Sequence, residues 1–352
     1  MSNQDLFPNL TIGVDLGDKI SRTCEIDAAG RIVKTSAVAT TAGAMERYFG
    51  GRARCRVVLE ASTHSPWVSR QLEALGHEAV VANSSEVYGR GRRKRRNDRI
   101  DAEFLARQGR ADVELLHPIR HRSEEAQRDL EQLRARDQLV QVRTKLISHV
   151  RGAVKSLGGR ISRCSAEAFA KQAARQLPDV LRPSLMPLLE TIAELSRRID
   201  AMERQVERIA EAHPEALHLQ QVQGVGLMTS VAYVRAVEDP QRFRHSRQAG
   251  AFFGLVPKLD ESSSSSPQLR ITKAGDPLVR RYLVGAARYI LGPFAGESDL
   301  RRYGEAIAAR GGKNAKKRAA IAVARKLAVL LHHLWVTNAV YDPDWMQKSR
   351  AA

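Results

Sequence analysis

Asp15 closes the apolar run LTIGVDL (residues 10–16), Glu60 lies near the end of CRVVLEA (55–61), and Asp98 and Asp101 stand three apart in RNDRIDAEFLAR. An i, i+3 pair shares one helix face. Four carboxylates brought to one point repel each other unless a cation cancels their charge. Oxygen ligands of this kind suit Mg²⁺ or Mn²⁺. Such ions activate a nucleophile and stabilise the leaving oxygen in phosphoryl transfer. The plainer alternative is local ion pairing. It fits Asp98 and Asp101, which lie among Arg95, Arg96 and Arg99, better than Asp15 inside an apolar strand.

A second group of chemically capable residues is the serine run Ser262–Ser266, in the irregular stretch Lys258–Arg270. A serine tract without apolar periodicity reads as an exposed loop. It is either a flexible linker or a loop that delivers a hydroxyl to a scissile phosphate. Upstream, LQQVQGVGLMTSVAYV (219–234) resembles a helix-hairpin-helix element. Gly224 and Gly226 permit a tight turn, and the following helix would aim free N–H groups at a phosphate. A Gly-x-Gly turn between packed helices is the bland alternative.

These residues need elements to position them. Residues 10–112 alternate short apolar strands with helices: strands at 10–16, 19–26, 31–38, 55–61 and 77–82, and helices at 42–48, 65–76 and 97–110. The first three strands, joined by short connections, predict an antiparallel meander. The order β-β-β-α-β-α-β-α is the RNase H-like order. In such a sheet strands one and four are neighbours, and the last helix crosses near their ends. Residues 123–212 are almost purely helical. One expected stripe is Leu139, Val142, Leu146, Val150, Val154 and Leu157. A second is Ile192, Leu195, Ile199, Met202, Val206 and Ile209, with a/d heptad spacing. The second stripe serves either a hairpin packed on itself or a coiled-coil arm for dimerisation. His213-Pro214 marks a boundary. Asp276-Pro277 is a good N-cap and first-turn pair for PLVRRYLVGAARYIL. A last helix is expected near 313–337. The expected domains are 1–115, 116–213 and 214–352, an α/β fold followed by helical parts.

Composition narrows the partners. Lys plus Arg number 57 against 39 Asp plus Glu, a formal net charge of +18. That field attracts polyanions, nucleic acid above all. Seven of the ten residues Arg90–Arg99 are Arg or Lys, including Arg92, Arg93, Lys94, Arg95 and Arg96. Three separated cysteines exclude a cysteine-rich zinc module and a disulfide framework. No signal peptide and no run of about 18 apolar residues is visible, so no membrane partner and a cytoplasmic, nucleoid-associated location are expected. GGKN (311–314) is not a Walker A loop, and no HExxH occurs. IGVDLG also occurs in actin-like and sugar-kinase ATPases, but Leu-Gly-Asp-Lys after Asp15 is a poor phosphate turn.

With these motifs assembled, the chain resembles the DEDD-type transposases of bacterial insertion sequences, the "one-ten" family. The resemblance runs through VDLG with Asp15, LEAST with Glu60, RNDRIDAEFLAR with Asp98 and Asp101, and the QGVG turn. It is most specific in GLVP…ITKAGD and in AVARKLAVLLHHLWVTNAVYDP. It implies a Holliday-resolvase-type RNase H-like domain joined to a mainly helical domain with a nucleophilic serine. Counting from Pro257, that serine is Ser262; Ser263 stands where the family has glycine. It further implies strand exchange through a phosphoserine link, donor and target double-stranded DNA, and a structured guide RNA. A homo-oligomer, dimer or tetramer, is implied as well. Nucleic-acid contacts are expected at Arg92–Arg96, Gly224, Gly226 and Lys273. Two rivals are a metal-only, junction-resolvase-like endonuclease and a non-catalytic nucleic-acid-binding protein.

Overall fold

The computed structural model describes residues 10–83, 98–258 and 269–345. The chain divides into two compact units, residues 1–122 and 123–352.

The first unit is built on a five-stranded sheet of order β3-β2-β1-β4-β5. β1 (Leu10–Asp15), β2 (Ile20–Asp27) and β3 (Ile32–Ala39) form the expected antiparallel meander. β4 (Arg56–Glu60) and β5 (Glu78–Ala82) run parallel to β1. Strand alternation splits the sheet residues between two faces. Ile12, Val14, Val57 and Leu59 pack with Met45, Phe49, Val68 and Leu72 of α1 (Ala42–Phe49) and α2 (Ser65–Ala74). The opposite face carries α3 (Asp98–Ala111), with Val58, Val80 and Leu105 in one cluster and Cys24, Ile26, Ala102 and Ala106 in another. This three-layer, mixed α/β arrangement has the strand neighbours the sequence predicts.

The second unit is helical. α4 (Glu124–Ser156) begins at Ser123, whose hydroxyl accepts from the Ala126 N–H. α5 (Phe169–Gln176) and α6 (Arg182–Glu211) follow. α4 and α6 pair as a long hairpin. Its far end has a core of its own, formed by Val150, Val154, Ile161, Phe169, Ala173, Leu185 and Ile192. Of the second stripe, Ile192, Leu195, Ile199 and Val206 are buried within this chain. Val206 shares a core with Leu130 and Leu133 of α4.

The first stripe differs from expectation: Val142 and Leu157 are exposed. The buried line of α4 instead passes through Asp137 and Arg143. Asp137 pairs with Arg281 at 2.6 Å, while Arg143 reaches Ser196 and Glu167, both at 3.0 Å. A hydropathy stripe cannot register positions that bury paired charge.

Beyond the hairpin lie α7 (Pro214–Leu219), α8 (Leu227–Val237), α9 (Gln248–Phe252), α10 (Pro277–Ile290), α11 (Asp299–Ala309) and α12 (Ala315–Thr337). α8 is the central helix, buried from Thr229 to Val237. Its Tyr233 hydroxyl donates to the Ala328 carbonyl at 2.6 Å. α12 is the one helix among the described residues long and apolar enough to cross a membrane. Val323, Ala324, Leu327, Ala328 and Leu331 of this helix lie in the unit's main core.

Candidate active site

Parallel pairing sets Asp15 and Glu60 side by side. Val14 is opposite Leu59 in the β1–β4 register, so the next residue on each strand is one of the two acids. Both are half-buried. Both lie on the α3 face, because alternation places Asp15 with Gly13 and Glu60 with Val58.

Small residues bring α3 against that face. A Cβ on Gly13 would sit 2.0 Å from the Ala102 carbonyl oxygen and 2.5 Å from the Ala106 nitrogen. One on Gly109 would sit 2.3 Å from a Val58 methyl. The direction of α3 is fixed at its carboxyl end. Arg56, at the start of β4, donates to the Gly109 carbonyl at 2.8 Å and pairs with Glu78. Arg110 donates to the Ala28 carbonyl in the β2–β3 turn. α3 therefore runs against β1 and β4, and its amino end lies toward their carboxyl ends. From Gly13 to Asp15 the strand rises about 6.6 Å. From Ala102 back to Asp98 the helix covers about 6 Å. Asp98 and Asp101 thus stand near the level of Asp15 and Glu60. Asp98 is described by its backbone alone; Asp101 is half-buried. An all-carboxylate donor set of this kind suits a hard divalent cation.

Two histidine contacts border these strand ends, and the sequence reading did not anticipate them. The Trp67 indole N–H donates to His64 Nδ1 at 3.2 Å. Nδ1 must then accept, so the neutral ring carries its proton on Nε2, which faces Asp18 at 3.6 Å. His121 Nε2 lies 2.8 Å from the Ser65 hydroxyl. Burial, with Arg70 and Arg122 nearby, pushes the His121 pKa below the usual imidazole value.

In the second unit, the two halves of the GLVP…ITKAGD motif meet. Pro257 and Ile271 form an antiparallel bridge. Lys258 donates to the Arg270 carbonyl, Thr272 to Val256 and Lys273 to Gly254. The result is a short ribbon, and Ser262–Ser266 fall outside the described residues between its two ends. Its base is tight. Gly254 and Gly275 have φ of 64° and 70°, and added Cβ atoms would meet Ala274 backbone at 2.3 Å and the Phe252 carbonyl oxygen at 2.0 Å. Asp276 caps α10 by accepting from the Leu278 and Val279 N–H groups. Its second oxygen receives Arg134 at 2.7 Å. Arg280 donates to the Phe253 and Ala274 carbonyls. Lys273 is exposed, with φ of 58°.

Gly224 and Gly226 differ in setting. Gly224, at φ of 89°, faces α10; a Cβ there would lie 3.1 Å from the Ala286 carbonyl oxygen. Gly226 caps α8 beside open space. The basic tract Arg92–Arg96 lies outside the described residues. One further cluster, Glu125, Asp129 and His213, brings its ligand atoms within 4.8 Å of one another. Arg235 already meets its charge, at 2.8 Å from Asp129 and 3.3 Å from Glu125. These ion pairs tie α4 to α8.

Comparison with known proteins agrees with this assembly of parts. Residues 12–158 match a family model described as "Transposase", and residues 216–300 match one described as "Transposase IS116/IS110/IS902 family". The chain is 28% identical to the transposase for insertion sequence element IS1111A of Coxiella burnetii, covering 94% of this chain and 90% of that one. It is 25% identical to a probable family 20 transposase of Pseudomonas aeruginosa, covering 94% and 98%. It is 27% identical to the transposase for insertion sequence element IS1328 of Yersinia enterocolitica, covering 80% and 84%. Two models of one transposase family in order along the chain, and relatives aligned nearly end to end, lead to one conclusion: the chain belongs to the IS110/IS116 family of insertion-sequence transposases.

Proposed function

We propose that this transposase cleaves and rejoins DNA strands through a phosphoserine intermediate, with Asp15, Glu60, Asp98 and Asp101 as its metal-binding carboxylates and Ser262 as its nucleophile. The observation that carries the reading is the convergence of Asp15 and Glu60 on one sheet face beneath the amino end of α3. When bound there, Mg²⁺ or Mn²⁺ would supply charge neutralisation at the scissile phosphate and at the leaving oxygen. The carboxylates hold their geometry because the strand register and the small-residue contact with α3 fix it before substrate arrives.

In the proposed reaction the Ser262 hydroxyl gives up its proton as its oxygen bonds to phosphorus, the bond to the bridging oxygen breaks, and that oxygen takes up a proton and leaves as a hydroxyl end, so no net proton is consumed. A hydroxyl end of the exchange partner then attacks the phosphoserine and restores the serine. Lys273 and Gly226 bind phosphate beside the ribbon and at the start of α8. Arg92–Arg96 bind backbone phosphates of double-stranded DNA or of a structured guide RNA. The family resemblance supports a homo-oligomer in which serine and carboxylates come from different subunits.

The test is Mg²⁺-dependent strand cleavage by Asp15→Asn and Glu60→Gln. Both variants should fold, since removing one of several like charges relieves repulsion, and both should lose cleavage by at least about a hundredfold. Wild-type cleavage by either folded variant would remove that acid from the site. Cleavage that persists in Ser262→Ala with no covalent adduct would favour the metal-only endonuclease.

A further inference from the structure

We propose that the far end of the α4–α6 hairpin is a DNA-binding surface that grips the phosphate backbone of duplex DNA without reading its sequence. The reading rests on the DNA-binding part of the proposed function and not on its catalytic chemistry.

Most arginines along the hairpin stem have partners. Arg134 pairs with Glu131 and Asp276, Arg136 with Glu203, and Arg197 and Arg198 with Glu194. The far end is different. Lys145, Lys155, Arg160, Arg163, Lys171 and Arg175 are all exposed. None forms a side-chain hydrogen bond or ion pair among the described residues. The acids nearby are already engaged: Glu167 with Arg143 and Asp179 with Arg182. Arg151 is spent on folding, donating to the Ile161 carbonyl and lying 5.0 Å from the Phe169 ring centre. The six unpaired cations lie on α4, on α5 and in the loop between them, the segments that supply most of this small core. Lys171 and Arg175 are one turn apart on the outer side of α5, whose inner side buries Phe169 and Ala173. Such a concentration of unpaired positive charge is self-repulsive unless a polyanion answers it.

A second observation concerns shape. Ser148, Gly152 and Ser156 form an exposed line at four-residue spacing on α4, flanked by Lys145 and Lys155. Glycine inside a helix is unfavourable relative to alanine. Here internal packing does not require it, since a Cβ on Gly152 would meet nothing within 4 Å. A smooth strip between cations lets a sugar-phosphate backbone approach the helix closely. The exposed cations are spread over α4, α5 and the loop between them and not lined along one helix that could enter a groove, which fits contact with backbone phosphates.

The test compares two variants with the same charge change. Lys171→Gln with Arg175→Gln alters the far end; Arg197→Gln with Arg198→Gln alters the paired stem. Binding of each full-length protein to a 30-base-pair DNA duplex of arbitrary sequence is measured across salt concentrations, and in parallel to an RNA duplex of equal length. The far-end variant should weaken DNA binding and reduce the log–log salt slope by about 1.8, close to 0.9 per lost phosphate contact. The stem variant should leave the slope nearly unchanged. Gly152→Glu, which adds bulk and negative charge to the strip, should weaken DNA binding without lowering helix content. Equal slopes for far-end and stem variants would overturn the proposal. So would an effect confined to the RNA duplex, or a loss of oligomers in sedimentation with DNA affinity intact. A wild-type protein that fails to bind duplex DNA would instead sink the DNA reading on which this one rests.

Discussion

Gly13 sets how closely α3 can approach β1. It stands where the β1 backbone meets α3, and a methyl group there would overlap the Ala102 carbonyl oxygen at 2.0 Å. The neighbour is backbone in a helix, so the clash cannot be relieved by rotating a side chain. Gly13→Ala should therefore push α3 off the sheet, at a stability cost of about 1–3 kcal/mol. DNA cleavage should fall with all four acids intact. Gly43→Ala is the control. Its Cβ would meet only an Arg47 side-chain nitrogen at 3.5 Å, and helix propensity favours the change by up to about 1 kcal/mol. Urea denaturation of both variants checks this. A Gly13→Ala protein as stable and active as wild type would show that α3 does not hold the acids. The sequence motifs nominate Asp15, Glu60 and Asp101 but do not disclose the close approach of α3 to Gly13 beside them. Of the large apolar residues of α3, the structure buries Leu105 and leaves Ile100 exposed, while Ala102 and Ala106 are fully buried. Close helix–sheet approach selects small side chains, and apolar patterning is blind to them.

Among elements, the five strands and three helices of the first unit were legible nearly to the residue. β1, β4 and β5 bury Val, Ile or Leu, whereas β2 buries mainly Ser21, Thr23, Cys24 and Glu25 with Ile26, and β3 buries only Val38. The hairpin was legible only in part. The α6 stripe packs as its spacing implies, whereas α4 buries Asp137 and Arg143 at positions that hydropathy assigns to solvent. The ribbon formed by GLVP and ITKAGD is a pairing of segments 14 residues apart across the bridge from Pro257 to Ile271. No local periodicity encodes it; the two left-handed glycines are its only sequence trace. Asp276 links the ribbon to both α10 and α4. Asp276→Ala should lower stability by about 1–2 kcal/mol through the lost cap. Asp276→Asn, which keeps an acceptor for the Leu278 N–H, should lose less. Denaturant midpoints that do not move in the alanine variant would contradict this account of the ribbon's base.

At the scale of the whole molecule, a formal charge of +18 and two differently built units agree with a protein that handles DNA. The first unit offers carboxylates on a rigid sheet. The second offers a clamped ribbon whose two ends, near Lys258 and Arg270, frame the serine segment. In the proposed reaction one serine of that segment becomes covalently joined to DNA. The most direct measurement is a cleavage reaction on a nicked suicide substrate that lets the leaving strand escape, followed by mass mapping of the DNA-linked peptide. A serine hydroxyl attacks phosphorus only when positioned and assisted, so the adduct should require Asp15 and map to Ser262. It should vanish in Ser262→Ala while DNA binding stays near wild type. An adduct that survives replacement of every serine from Ser262 to Ser266 by alanine would rule out a serine nucleophile in this segment.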